Sequence, residues 1–411
     1  MKILLVHQYF LAKDASGGAR WNQMAHYWAE QGHEVCVLAG MVDYNTGKKP
    51  SAYRWRMFKR EDPEPRIRVY RCHVSEAYNS SFLGRAWAYF SFAVSSSIAG
   101  FCFASRPDVV VATSPPLTVA VTMTWLKWLL RCPAIFEVRD LWPESALDTG
   151  VLKPGKLANM LFRMEADAYR KADWINVLTP AFRETLIEKK GVPPEKISMI
   201  TNGADPDLFQ PGERDNAIRR ELKLDGKFAV GYFGAHGKAN RLGQLLDAAE
   251  VLKTEIPDVQ IVLVGDGMEK SNLQSEASRR ELSNVTFVGS VAKEVVVDYI
   301  NAMDVCTAVL MKNDTFKTVY PNKVFDYMCC QRPILIGIDG VARKLVEDAG
   351  AGLFMEPENT ASIVASIKQL RESPAQCDSM GMSGREFVLK NYSRDSLAAK
   401  YLEIVQQVAT R

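Results

Sequence analysis

The chain has 411 residues, 47% hydrophobic, 24% charged and 10% aromatic, with a formal net charge of +3. This length is too great for one comfortable core, so at least two domains are expected in an ordinary globular composition. The near-neutral charge excludes a general nucleic-acid binder. The eight cysteines contain no CxxC pair and no His/Cys cluster at zinc spacing, which fits a reducing cytoplasm.

The opening MKILLVHQYF reads as a first β-strand. Its apolar run is too short for a signal peptide and is interrupted by His7 and Gln8. A loop with Gly17 and Gly18 follows, where the missing side chains let backbone come close to a ligand. Trp21, Met24, Ala25 and Trp28 then recur at helical spacing up to Gly32, and HEVCVLAG is the next strand. Between Lys48 and Arg71 nine Lys/Arg stand against three acids, a local excess of +6 that predicts a basic surface. Ala86 to Ser105 carries no charge and is long enough for a membrane span. Its five serines, Gly100 and the strand-and-turn pattern after it favour a buried or interfacial helix.

PDVVVATS, PAIFEVRD, ADWINVLT and EKISMITNG continue the strand series. After the Pro/Gly/Asp-rich ADPDLFQPGERD the pattern restarts with FAVGYFG, the helix RLGQLLDAAEVLK, VQIVLVGDG, VTFVGS, DVCTAVLM, PILIGI and AGLFME. Alternating strands and helices predict an α/β chain of two doubly wound domains: residues 1–208, residues 209–390, and a helix over 391–411 that crosses back to the first. Ligands bind such sheets beyond the carboxyl ends of the strands, so a cleft between the domains is where polar loop residues are expected. No GxGxxG is present, which argues against a dinucleotide site.

The segments ITNGADPDLFQP, LLDAAEVLK, IVLVGDGMEKSNLQ, NVTFVGSVAKEVVVDYINAMDV and PNKVFDYMCCQRPILIG, in that order, resemble retaining glycosyltransferases of family 4. GHEVCVLAG, RPDVVVATSPPL and EVRDLWPESALDTG resemble its bacterial O-antigen and capsule subgroup, which includes N-acetylfucosamine transferases. The resemblance covers essentially the whole chain. It implies a GT-B fold of two Rossmann-like domains facing a cleft, metal-independent hexosyl transfer from a nucleotide sugar, retention of anomeric configuration and no cofactor. Two donor-site glutamates of the family fall on Thr318 and Asp326, of which only the second keeps a carboxylate. The family's diphosphate-binding arginine and lysine fall near Ala235 and Asn240, with Lys238 and Arg241 as neighbouring substitutes. A cleft histidine of the wider family corresponds to Arg139, followed by Asp140. Gly17, Gly18, Gly234, His236, Val291, Pro321 and Asn322 complete the donor set expected on this basis.

The chemistry of such a donor fits the residues of the PNKVFDYMCC helix. A departing diphosphate leaves growing negative charge, which an enzyme without a metal meets with cations and oriented N–H groups. Helix-opening amides near Pro321 point at an anion, and Lys323, at the wrong end for the helix dipole, suits a phosphate. Asp326, a turn deeper, can accept hydrogen bonds from both hydroxyls of a ribose. The alternatives are a solvated lysine and a surface acid. On the first domain Asp140 is expected to orient a hydroxyl and Arg139 to bind a phosphate, against a helix N-cap and a salt bridge as the ordinary roles. The five histidines have no metal-like spacing.

The expected reaction is transfer from a UDP-sugar, UDP-N-acetylfucosamine or another UDP-N-acetyl-hexosamine, to an undecaprenyl-diphosphate-linked saccharide. The basic stretch and the apolar helix would hold the protein peripherally on the anionic inner face of the cell membrane. A nucleotide-sugar epimerase of the same fold and a non-catalytic scaffold are the rival readings. The first would release an isomerised sugar, and the second would need no nucleotide site.

Overall fold

The computed structural model describes residues 1–12, 20–43, 47–79 and 82–410, so Gly17 and Gly18 lie outside the described residues. The chain divides between Thr201 and Asn202 into two units, and the segment from Arg394 onward belongs to the first. The division falls ahead of the Pro/Gly/Asp-rich stretch rather than within it. Phe209 explains why: it is buried in the core of the second unit and carries its neighbours with it.

The first unit runs β1 (Lys2–Val6), α1 (Arg20–Glu30), β2 (Glu34–Gly40), β3 (Phe58–Glu64), β4 (Ile67–Cys72), α2 (Phe82–Phe103) and β5 (Val109–Ser114). It continues with α3 (Val119–Leu130), β6 (Ala134–Val138), α4 (Glu144–Asp148), α5 (Lys156–Lys171), β7 (Trp174–Val177), α6 (Pro180–Glu188) and β8 (Ile197–Met199). The eight strands pair in the order β3-β4-β2-β1-β5-β6-β7-β8, parallel except for the antiparallel edge β3. Helices cover both faces, which is why β5 and β6 are buried at every position and read as continuous apolar runs.

The second unit runs α7 (Ala217–Glu221), β9 (Phe228–Phe233), α8 (Gly243–Glu255), β10 (Val259–Val264), α9 (Lys270–Arg279), β11 (Val285–Val288), α10 (Lys293–Asn301) and β12 (Val305–Val309). Then come α11 (Asn322–Cys329), β13 (Ile334–Gly337), α12 (Val341–Asp348), β14 (Gly352–Phe354), α13 (Thr360–Glu372) and α14 (Pro374–Tyr392). Its six strands are all parallel, in the order β11-β10-β9-β12-β13-β14. After a break at Ser393, α15 (Arg394–Ala409) returns to the first unit. Leu397, Tyr401 and Val405 share a core there with Trp21 and Trp28, and the Trp28 indole donates to the Ala398 carbonyl at 3.1 Å.

The second half of the basic stretch is a β-hairpin in which four of the nine cations are paired. Arg71 is buried and bonds Glu61 at 2.8 Å, and Lys59 lies 3.6 Å from the same carboxylate. Arg60 and Arg68 share Asp62. The stretch keeps its excess of +6, with Arg54, Arg56 and Arg66 exposed outside these pairs. The uncharged segment forms α2, with Ala88, Phe92, Ser95, Ser96 and Ala99 buried along one side. α2 is long and apolar enough to cross a membrane, and its buried side packs on α3 and on β2 and β4 of the sheet.

Candidate functional site

In the second sheet the chain order reverses at β9, with β10 and β11 on one side and β12 to β14 on the other. Ligands of open α/β sheets bind beyond the carboxyl ends of the strands at such a reversal. β9 ends at Phe233, and Gly234 turns the chain at φ +145°. The loop after β10 lies directly on this turn. A Cβ on Gly265 (φ +139°) would stand 2.0 Å from the Gly234 carbonyl oxygen, so two backbones are in contact where a side chain cannot fit.

α11 opens beside that loop. Pro321 is its N-cap (φ −67°, ψ 127°) rather than its first helical residue, and no side chain caps it. The first helical position is Asn322, which is exposed. A helix end without a side-chain cap leaves first-turn N–H groups directed outward. Lys323 reaches from this turn to β9: its Nζ lies 3.8 Å from the centroid of the Tyr232 ring, and a Cβ on Gly234 would be 2.7 Å from it. Burial lowers the ammonium pKa to about 7, opposed by the Asp326 carboxylate. A lysine held in this way is primed to gain its full charge from an anion.

Two tyrosines hold the arrangement, and neither stands out in the sequence. The Tyr327 hydroxyl accepts from the Phe233 N–H at 3.1 Å and donates to the Thr307 carbonyl at 3.3 Å, locking α11 to β9 and β12. The Tyr232 hydroxyl donates to the Ala235 carbonyl at 2.9 Å, shaping the loop after β9. The only signal available beforehand is a pair of phenols at core-facing positions, which need a partner when buried.

Asp326 is half-buried between buried Phe325 and Tyr327, one helical turn from Lys323. Thr318 turns its hydroxyl onto the Thr315 carbonyl at 2.6 Å, closing the 3₁₀ turn Thr315–Thr318. Lys238 is exposed at the start of the 3₁₀ turn Lys238–Asn240. Arg241 is also exposed, with its guanidinium 3.6 Å from Glu358. Buried Gln244 joins the Arg241 carbonyl to the Glu358 N–H, a positioning role that the sequence did not suggest. His236 is fully buried, its ring 6.2 Å from that of Tyr232 and 6.5 Å from that of Phe287. Burial and then Lys270 lower its pKa, so the imidazole is neutral. Val291 is half-buried against the second unit's core.

In the first unit the order reverses at β1 and β5. Arg139 and Asp140 follow β6 at the same edge, and the Arg139 N–H bonds the Ser114 carbonyl at 3.1 Å. Burial raises the Asp140 carboxyl above its ordinary value, while the Ser145 hydroxyl donates to Oδ2 at 2.8 Å and opposes the shift. Asp140 is not a helix cap, because Pro143 holds that place for α4. The neighbouring acids are structural. Glu137 is buried on Arg20 (3.2 Å) and Asn176 (3.1 Å), and Glu144 pairs with Lys190.

Two doubly wound domains, each with polar residues at its strand-order reversal, define an α/β enzyme of the GT-B fold. Residues 17–203 match the family described as "Glycosyl transferase 4-like domain", and residues 213–387 match "Glycosyl transferases group 1". The chain carries these two domains in series and is a glycosyltransferase. It is 26% identical over 421 residues to a colanic acid biosynthesis glycosyl transferase, WcaI of Escherichia coli (strain K12), covering 99% of this chain and all of the relative. It is 24% identical over 307 residues to the glycosyltransferase WbjE of Pseudomonas aeruginosa, covering 74% of this chain and 75% of the relative. Among solved structures, Anabaena HepE in complex with UDP-glucose superposes with a TM-score of 0.73 at 18% identity, covering 99% of this chain and all of HepE.

Proposed function

We propose that this glycosyltransferase moves a sugar from a UDP-sugar to an undecaprenyl-diphosphate-linked saccharide, with retention and without a metal or other cofactor. The observation that carries the donor assignment is Lys323, whose ammonium is brought to Gly234 and Tyr232 at the strand-order reversal. There, Lys323 and the first-turn amides of α11 neutralise the diphosphate as it leaves. Asp326 holds the ribose, and Lys238 and Arg241 close on the diphosphate from the loop after β9. On the first domain Asp140 orients the attacking hydroxyl and Arg139 takes an acceptor phosphate. The departing phosphate oxygen accepts the hydroxyl proton. HepE supports the nucleotide class through its complexes with UDP and UDP-glucose, and WcaI supports the polysaccharide context through its name. The donor sugar belongs to the UDP-N-acetyl-hexosamines, UDP-N-acetylfucosamine included. The enzyme works in the cytoplasm, peripherally at the inner face of the cell membrane.

The test is transfer from a UDP-sugar to the lipid-linked saccharide in excess EDTA, with the product analysed by NMR. A product one sugar longer, of unchanged anomeric configuration, is expected. Activity lost in EDTA and restored by Mg²⁺ or Mn²⁺ refutes the metal-free reading. An isomerised sugar formed without acceptor identifies an epimerase instead.

Asp326→Asn separates binding from turnover. A ribose contact is the same in ground and transition states, so it affects donor KM and not kcat. A roughly tenfold rise in KM is expected, the worth of a hydrogen bond to a charged group. Discrimination between UDP and 2′-deoxy-UDP as inhibitors should narrow as well, while Asp326→Glu is tolerated. The assay belongs below pH 7, because losing the Asp326 carboxylate removes a charge that holds the Lys323 pKa up. A fall in kcat at unchanged KM removes Asp326 from the ribose.

A further inference from the structure

α2 presents a second face that the first unit leaves uncovered. Leu83, Trp87, Phe90, Val94, Ile98 and Phe101 are all exposed, Phe101 by 60%. Their spacing of 4, 3, 4, 4 and 3 residues makes one stripe along the helix, about 27 Å long at 1.5 Å per residue. α3 packs against α2 and repeats the pattern with Val121, Trp125 and Trp128, the last 70% exposed. A groove of about 400 Å³ runs between them, lined by Phe90, Val94, Ile98, Phe101, Val121 and Trp125 among others. The two stripes are thus a single apolar face.

Charge identifies what covers it. Between Glu76 and Glu137 the only acid is Asp108, while Arg85, Arg106 and Arg131 stand at the ends of the two helices and Lys127 is paired with Asp173 at 2.6 Å. Acid-free apolar helices with exposed tryptophans and cations at their ends match a bilayer interface, with indoles at headgroup depth and cations on anionic lipid. The basic hairpin is a weaker candidate, since Glu61 and Asp62 already engage four of its cations.

We infer that the α2–α3 face is the membrane-docking surface, seated on an anionic bilayer with Trp125, Trp128 and the α2 stripe in the interface. This inference deepens the proposed membrane-side location and is independent of the transfer chemistry. Apolar burial is not screened by salt, so binding persists in part where purely electrostatic attachment is lost.

The test is co-sedimentation of the full chain with phosphatidylethanolamine/phosphatidylglycerol vesicles in 0.5 M NaCl, without any nucleotide sugar. Binding is expected, with wild-type tryptophan fluorescence quenched by brominated lipid. Trp125→Ser/Trp128→Ser and, separately, Phe90→Ser/Phe101→Ser should each lower partitioning by at least about tenfold. All four residues are exposed, so melting temperature and acceptor-free nucleotide release should stay at wild-type values. Unchanged partitioning of both variants overturns the inference, as does complete release of the wild type by salt. A concentration-dependent dimer abolished by the same substitutions assigns the face to a second copy and equally overturns it. Loss of sugar transfer with vesicle binding intact would count against the proposed reaction and leave the docking face standing.

Discussion

Lys323→Met should lower kcat by on the order of 10²-fold and leave the protein as stable as before, or more so. The two halves of this result have one cause. The ammonium of this half-buried side chain lies against Tyr232 and Gly234, and burial of the amine brings its pKa to about 7, well below that of a free lysine. The charged form is therefore disfavoured by folding, so the lysine's contribution to stability rises as pH increases from 7 toward 10.5. Methionine fills similar space without the charge and should show no such rise. A departing diphosphate reverses the preference, because its growing negative charge favours the protonated amine. Donor affinity in the wild type should accordingly weaken above pH 7, by up to about tenfold per unit, and this dependence should vanish in Lys323→Met. Thermal melts and steady-state kinetics across pH 6–9 check both. A destabilised variant with normal kcat would make Lys323 a packing residue.

Gly265→Ala should damage both the fold of the second unit and the turn that seats Lys323. The new Cβ would lie 2.0 Å from the Gly234 carbonyl oxygen, and φ +139° is a region that side chains avoid. Backbone strain and a backbone clash together cost roughly 2–4 kcal/mol, a fall on the order of 10 °C in the melting of a unit this size. Relief of the clash displaces the Gly234 turn, so Lys323 loses its seat and donor affinity falls as well. Gly226→Ala is the control: φ is also positive (+68°), but a Cβ there meets nothing within 4 Å. It should cost about 1 kcal/mol and leave kinetics alone. Equal effects of the two substitutions would show that the loop contact does not shape the site.

Much of this architecture is legible in the sequence because buried parallel strands are short apolar runs with glycine or polar residues at their ends. FAVGYFG, VQIVLVGDG and DVCTAVLM become β9, β10 and β12, and Trp21, Met24, Ala25 and Trp28 are buried on α1 as their spacing requires. The hairpin β3–β4 was hidden behind its charge: read as nine cations against three acids, it looks like surface, yet Arg71 is buried and satisfied. Lys323 could be singled out beforehand because a cation sits oddly at that end of a helix, and the structure brings it to Tyr232 and Gly234. Long-range pairing could not be read, as for Tyr327 bonding Phe233 from 94 positions away. The burial of Glu137 is hidden for the same reason, because its partner Arg20 lies 117 positions earlier. The apolar stripe of α2 could be sensed from composition, but its continuation on α3 depends on how two helices lie side by side.

Nucleotide release without acceptor tests the central claim most directly. The folded protein is incubated with UDP-, GDP- and dTDP-sugars in turn, and free nucleotide is measured for the wild type and for Lys323→Met. Slow release from a UDP-sugar is expected in the wild type, reduced about 10²-fold in the variant. Release from none of the sugars, or release at the same rate from both proteins, would contradict a donor site built on Lys323.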